Sequence, residues 1–462
     1  MRLHFIGIGG IGLSGLARYF CRQGYQVTGS DIKETPLIEE LRSEGIKVVV
    51  PHKSANIDRF KPDLVVFSAV IKPNNPELRR ARELGIETLS RRQFLKFLVS
   101  DKKVISVCGA HGKSTTSAIL ATLLPESSAV IGAISKEFHS NCRVKPGELL
   151  VFEADESDGS FVDSNPYVSV VTNTEPEHME FYNYDLNRFY SHYWEFLKKA
   201  KYRVANGGDP FFQTNSARLP PELADFFSSL PTLPAHLPNT RLINLKLADE
   251  VEEGLNGRGE PVTRFTYRGE RFQIYGFGDH LITDALLAIE AANLFAPLSQ
   301  LADRMKSYRG IKKRFDIVFD NGELVIVDDY GHHPTEIEQT LQGAFRFAQL
   351  RGLKGVTAIW QPHKYSRTID NLEGFKKCFE GVDRLIILPV WSAGEEPRPI
   401  NFEKEFKKYK PIFVPRVYRY SSYLRVGDFI LNRGLVIGFG AGDITYQLRH
   451  SYPTHTKCGI AE

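Results

Sequence analysis

Short apolar runs alternate with helically spaced stretches along nearly the whole chain, and that alternation leaves few architectures open. In the first hundred residues "LHFIGI", "YQVTGSD", "IKVVV" and "DLVVFSA" read as strands. "IGLSGLARYFCRQG", "PLIEELRSEG" and "NPELRRARELG" carry helical spacing, and glycines mark the short joins. Repetition of this kind builds a parallel, doubly wound sheet. The pattern breaks at 99–103, where the charged "SDKK" precedes a new buried strand. "LLVFEAD" and "VSVVTNT" follow as strands, with "STTSAILATLL", "NRFYSHYWEFLKKA" and "ITDALLAIEAANLF" as helices. After "YRGIKKRFD", strands ("LVIVDDY", "GVTAIWQP", "RLIILPV", "GLVIGFGAG") alternate again with helices ("PTEIEQTLQGAFRFAQL", "NLEGFKKCFEG"). A chain of 462 residues is too long for one ordinary core. The expectation is an α/β protein of three units: 1–99, 100–308 and 309–462. The stretch 213–240, rich in Pro, Ser and Leu, reads as an irregular insertion, and the polar tail after Arg449 is expected to fray.

The bulk numbers exclude several classes. With 42% apolar and 25% charged residues the composition is that of a soluble globular protein. No run approaches the length of a membrane span, and closely spaced glycines break up the apolar start that could pass for a signal peptide. The net charge of +4 is small for this length and argues against a dedicated nucleic-acid binder. Cys21, Cys108, Cys142, Cys378 and Cys458 show no C-x-x-C and no zinc spacing, as expected in a reducing cytoplasm.

Two glycine turns carry the chemistry. "VISVCGAHGKSTTS" places Gly109, Gly112, Lys113 and Ser114 between an apolar strand and a helix. Glycines let backbone N–H groups approach phosphate oxygens, and the helix N-terminus favours negative charge. Lys113 would reach the outer phosphates and the Ser114 hydroxyl a magnesium ion. The strict G-x-x-x-x-G-K-[ST] spacing fails, because Val107 stands where the first glycine belongs. "VFEADESDGSF" and "VVTNTEPEHMEFY" leave two strands with Glu153, Asp155, Glu156 and Asp158, and with Glu175, Glu177 and His178. Ligands collect at the C-terminal ends of such strands, so a metal–ATP site touching two or three of these seven is expected. Near the N-terminus Gly7, Gly9 and Gly12 match G-x-G-x-x-G, with Asp31 ending the next strand. Alone, that turn suggests an NAD-linked oxidoreductase; the diphosphate of another nucleotide fits it equally well. A non-catalytic nucleotide-binding module is a third possibility.

The strings "HFIGIGGIGLSG", "GAHGKSTT", "FEADESDGSF", "VVTNTEPEHM", "IKKRFD", "VDDYGHHPTEI", "QPHKYSR" and "GFGAGDI" occur in that order within about residues 3 to 448. Together they resemble the Mur ligases. The resemblance implies a Rossmann-like N-terminal domain, a central P-loop ATPase-like domain and a Rossmann-like C-terminal domain. It implies a cytoplasmic, ATP- and magnesium-dependent enzyme of peptidoglycan synthesis, and so of cell-wall biogenesis, cell shape and division. The muramyl carboxylate of UDP-N-acetylmuramate becomes an acyl phosphate that L-alanine attacks; a ligase attaching a recycled peptide is the alternative within the family. No nucleic-acid or membrane partner is implied, and the protein is expected as a monomer or homodimer.

By the same resemblance Gly7, Gly9, Gly10 and Gly12, with Asp31 and Ser68, hold the UDP sugar. Gly109, Gly112, Lys113, Ser114 and Thr115 hold the ATP phosphates, joined by His280 and by Asp329 at the ribose. Ser114, Glu153 and His178 are the metal set. Arg314 reaches the phosphates from the third domain, which is expected to close to complete the site. His332, His333, His363 and Arg367 serve the amino acid and acyl phosphate, with Lys113, Arg314, His333 and Arg367 the catalytic group. Arg367 pairs with the L-alanine carboxylate.

Three positions depart from the family pattern. "GDHLITDA" keeps His280 but has Leu281 and Asp284 where the family has Asn, and an aspartate cannot donate to an adenine ring nitrogen. Lys364 in "QPHKYSR" replaces an arginine, a point charge for a planar fork. "NRFYSHYWEF" lacks the lysine that sister ligases carbamylate, which fits the alanine-adding branch.

Overall fold

The computed structural model describes residues 1–213 and 221–449. The polar tail and the opening of the insertion, 214–220, lie outside the described residues. The first sheet consists of β1 (Arg2–Ile6), β2 (Gln26–Ser30), β3 (Lys47–Val49), β4 (Leu64–Phe67) and β5 (Glu87–Ser90). All its strands are parallel, in the order β3-β2-β1-β4-β5. The winding reverses at β1, so the turn that follows it opens at a topological switch point. A helix at Ser54–Phe60 makes the crossover that parallel β3 and β4 require. Its sequence shows no apolar face because only Asn56 and Ile57 are buried.

The second sheet contains β6 (Lys103–Cys108), β7 (Ser128–Ser135), β8 (Ser140–Arg143), β9 (Leu149–Glu153), β10 (Pro166–Val171), β11 (Tyr202–Asn206) and β12 (Thr240–Ile243). The order is β12-β11-β10-β6-β9-β7-β8, and β8 alone runs antiparallel to its neighbour. Here β6 sits between β9 and β10, again at a switch point. The helix Lys113–Leu123 is buried without a break from Thr116 to Leu123, which explains its lack of a polar face. The described part of the insertion, from residue 221 to 240, is more ordered than its prolines suggest. A helix at Pro221–Ser228 packs Phe226 against Tyr190 and both Phe226 and Phe227 against Phe211.

The third sheet runs, in spatial order, Asp316–Asp320, Leu324–Asp329, Gly434–Phe439, Val356–Trp360, Arg384–Ile387 and Ile412–Phe413. Only the first of these strands is antiparallel to its neighbour. The chain divides into two compact units. One comprises Met1–Val251, Phe265–Ile274 and Asp279–Arg309 and holds the first two sheets; the other comprises Glu252–Arg264, Tyr275–Gly278 and the chain from Gly310 and holds the third. Among the described residues no helix is long and apolar enough to cross a membrane.

Candidate active site

In the first unit the phosphate-type turn leaves β6 as expected. Gly109 has φ +136 and Gly112 φ +80, left-handed values that favour glycine. A β-carbon on Gly109 would stand 2.2 Å from Thr172 Oγ1, so the turn lies directly on the end of β10. Asn173 Oδ1 accepts from the amides of Ala110 (3.1 Å) and His111 (3.3 Å) and fixes the turn from that side. Lys113 Nζ donates to the carbonyls of Gly109 (2.5 Å) and Ala110 (3.0 Å) and pairs with Glu156 Oε2 at 2.8 Å. Burial opposes the Lys113 charge, but Glu156, with Glu153 and Asp155 beyond it, holds the ammonium above the ordinary lysine value. Burial drives the Glu156 carboxyl up to about 7 against the pull of Lys113.

Ser114 Oγ donates to Glu153 Oε1 at 2.9 Å, and the Gly132 amide to Glu153 Oε2 at 2.6 Å. Thr115, half-buried, follows in the same first turn. Ligand atoms of Glu156, Glu177 and His178 lie within 4.8 Å of one another, and His178 itself has φ +52. The acidic ends of β9 and β10 therefore gather beside Lys113. Of the expected metal set, Ser114 and Glu153 are bonded together, whereas His178 is grouped with Glu156 and Glu177. All of these are hard or borderline donors, a set that suits a divalent cation. Asp155 and Asp158 are engaged by the amides of Ser157 and Ser160. His280 is exposed at the start of the helix Asp279–Ala292. One turn on, Asp284 is buried against the phosphate turn: a β-carbon on Gly112 would meet Asp284 Oδ1 at 2.5 Å.

The N-terminal turn is held by its neighbours in the first sheet. Gly7 N donates to Ser30 O at 2.8 Å, and Ser68 stands beside Gly7, 3.2 Å from where a β-carbon would be. Asp31 Oδ2 accepts from Gly9 N at 2.8 Å, so this carboxylate buttresses the turn itself. The helix Ile11–Arg22 begins after Gly10 with no side-chain cap and no acid in its first turn. Arg91 adds a cation that the sequence did not single out. Its Nε lies 3.4 Å from a β-carbon position on Gly12, while Nη1 reaches Ser160 Oγ (3.3 Å) and Asp158 (3.7 Å).

The second unit brings the remaining residues together. Asp329, at the end of its strand, accepts from the amides of Phe315 and Gly331, both at 2.8 Å. Burial pushes its carboxyl up to about 6, although Arg314 and these amides oppose the rise. Arg314 donates to Glu336 Oε1 at 3.2 Å, and Glu336 Oε2 accepts from the amides of His332 and His333. Burial works against the Glu336 charge, but Arg314, His332 and these bonds hold the carboxyl at about 2. The rings of His332 and His363 lie 5.9 Å apart, and His363 Nδ1 is 2.9 Å from Arg367 Nη1. Burial, with Arg367 and His332 nearby, lowers His363 to about 4. It is neutral at pH 7 and accepts the Arg367 bond.

His333 Nε2 meets Asn371 Oδ1 at 3.1 Å, and Asn371 donates back to Arg367 O. Lys364 has φ +66, and its amide donates to Trp391 O, where residues 363 and 391 form a bridge. Glu336 and Asn371, which join the two halves of this cluster, were missed in the sequence. Glu336 had a signal: it stands three residues after His333 in a Pro-started helix, the place of a capping acid. Asn371 had none.

The chain thus has a glycine turn beside a hard-ligand cluster in one unit and an Arg–His–Asp cluster in the other. It belongs to the Mur ligase family. The family's catalytic domain matches residues 2–103, its middle domain 107–292 and its glutamate ligase domain 313–425. Among curated relatives, the UDP-N-acetylmuramate–L-alanine ligase of Campylobacter curvus is 46% identical over 98% of this chain and 100% of its own length. That of Helicobacter pylori is 45% identical, over 97% and 96%. Among solved structures, UDP-N-acetylmuramate–alanine ligase from Thermotoga maritima superposes with a TM-score of 0.78 at 26% identity, covering 97% of this chain and 98% of that one.

Proposed function

We propose that the protein joins L-alanine to UDP-N-acetylmuramate with ATP in cytoplasmic peptidoglycan precursor synthesis. The observation that carries this reading is full-length similarity at 45–46% identity to ligases of that name, in a chain that keeps Lys113, Glu153, His178 and Arg314. The 1–99 domain takes the UDP sugar at Gly7, Gly9, Gly10 and Gly12, with Ser68 beside the turn and Asp31 bracing it. The 100–308 domain takes ATP at Gly109–Thr115, with His280 nearby, and the 309–462 domain adds Asp329 at the ribose.

The muramyl carboxylate attacks the γ-phosphorus, the bond to ADP breaks, and an acyl phosphate forms. The neutral amine of L-alanine then attacks the acyl carbon; an amide forms, phosphate leaves and the amine gives up a proton. Two anions must meet in the first step, so the cations Lys113 and Arg314 do most of the work by charge neutralisation. Magnesium would be held by Ser114 with Glu153 and by His178 with Glu156 and Glu177. It would supply further neutralisation of the phosphates. Arg367, held by His363, pairs with the L-alanine carboxylate, and His332 and His333 face the acyl phosphate.

The test is phosphate release with ATP, magnesium and UDP-N-acetylmuramate, adding L-alanine, serine, glycine or a peptide in turn. Release dependent on L-alanine is expected. Release only with a peptide would move the chain to the recycling reaction, and NADH turnover without phosphate release would overturn the ligase reading.

A further inference from the structure

The first glycine motif does not stop where a diphosphate would need it to. "GIGGIGLSG" continues through Ser14 and Gly15, a turn into the helix Ile11–Arg22, and both are buried. They face β7 and β8 of the second sheet. A β-carbon on Gly15 would stand 3.1 Å from Val130 Cγ1 and 3.3 Å from Asn141 Nδ2, so a larger residue would press on both neighbours. Asn141, on the edge strand β8, is 0% exposed. Its Nδ2 donates to Ile11 O at 2.8 Å and to Ser14 Oγ at 3.0 Å, and its Oδ1 accepts from Arg18 Nη1 at 2.7 Å. Ser14 Oγ in turn donates to Ile11 O at 2.9 Å. Arg18 is itself 1% exposed and pairs with Glu44 at 2.7 Å.

We propose that Asn141 is a positioning residue for the nucleotide-sugar turn: an amide on the sheet that carries the ATP loop sets where the helix after the first glycine turn begins. The inference rests on the reading that Gly7–Gly12 hold the UDP sugar. Ile11 is the first residue of a helix with no side-chain cap, so the amides of its first turn take their direction from the helix itself. Asn141 grips that residue's carbonyl and the next turn's hydroxyl. Both of its donors are buried, and moving the helix along its axis would leave them without acceptors, a costly state. The amides that meet the diphosphate are thereby fixed to the sheet that holds ATP. A displacement of an ångström or less at such donors is enough to weaken an anion contact.

The test uses the full chain. Asn141→Asp keeps the size and the acceptor for Arg18 but removes both donors to the helix. Arg22→Ala cuts a bond to Cys142 O at the far end of the same helix and serves as the structural control. Binding of UDP-N-acetylmuramate and of ATP is measured by calorimetry, and folding by thermal melting. Asn141→Asp is expected to weaken UDP-N-acetylmuramate binding about ten-fold with ATP binding unchanged; Arg22→Ala is expected to lower Tm and leave both affinities alone. If Asn141→Asp does not fold, Ser14→Ala removes one acceptor and should show a smaller loss in the same direction. Unchanged sugar-nucleotide affinity in the folded variant, or equal weakening of both ligands, would overturn the proposal. Gly9→Ala separates the two ideas, since its β-carbon would stand 2.7 Å from Asp31 Oδ2. Normal sugar-nucleotide binding by Gly9→Ala would refute the assignment of the turn. Weakened binding there with none in Asn141→Asp would refute only the positioning role.

Discussion

Single residues show most clearly what a linear reading can reach. Glu77 is fully buried beneath the first sheet and accepts from Asn56 Nδ2 at 2.5 Å, Lys53 N at 3.2 Å and the Ser30 hydroxyl, with His4 Nε2 at 3.4 Å. Burial opposes its charge, but His4, His52 and Ser30 around it hold the carboxyl well below the usual range. Glu77→Gln is expected to cost roughly 3 kcal/mol in urea unfolding at pH 7, since it strips the charge from donors arranged around it. Because the folded value is depressed, the stabilisation is complete above the unfolded carboxylate value of about 4.3 and is lost as pH falls below it. The gap between the two proteins should therefore narrow in acid. None of this network was legible, because His4, Ser30 and Glu77 are far apart in the chain. Lys113, Ser114 and Glu153 were legible, because each lies in a compact motif at a strand end. Which acid would face Lys113 was not, since burial alone distinguishes Glu156 from its neighbours.

At the scale of elements, the reading found the strands that lead into the two glycine turns, β1 and β6, but not β7, β8 or β11, and it missed helices that packing makes. The helix Ser54–Phe60 buries too little to leave a periodic trace. The histidine cluster depends on the helix starting at Pro334 and on the short helix Tyr365–Asp370, which together place Glu336, Asn371 and Arg367 around His332, His333 and His363. Arg367→Lys tests that arrangement. A lysine cannot form the two-pronged contact with a carboxylate, so KM for L-alanine should rise about ten- to a hundred-fold with KM for ATP unchanged. Equal rises in both would place Arg367 on the nucleotide instead.

At the scale of the whole molecule, the residues proposed for the reaction fall in two compact units. The phosphate turn with Lys113 belongs to the first, and Arg314 with its Glu336 contact to the second. If both cations neutralise the same transferring phosphoryl group, Lys113→Ala and Arg314→Ala should each lower phosphate release by at least about a hundred-fold. Calorimetry should find UDP-N-acetylmuramate affinity near that of the unaltered protein in both. Turnover surviving in either variant would remove that residue from the phosphoryl-transfer step. The bridge between residues 363 and 391 has a consequence of a different kind. The chain has only three tryptophans, and one of them, Trp391, is tied through its backbone to the segment carrying His363, Lys364 and Arg367. The protein thus carries a native fluorophore where the amino acid is proposed to arrive, and its ultraviolet emission offers a label-free optical record of that event.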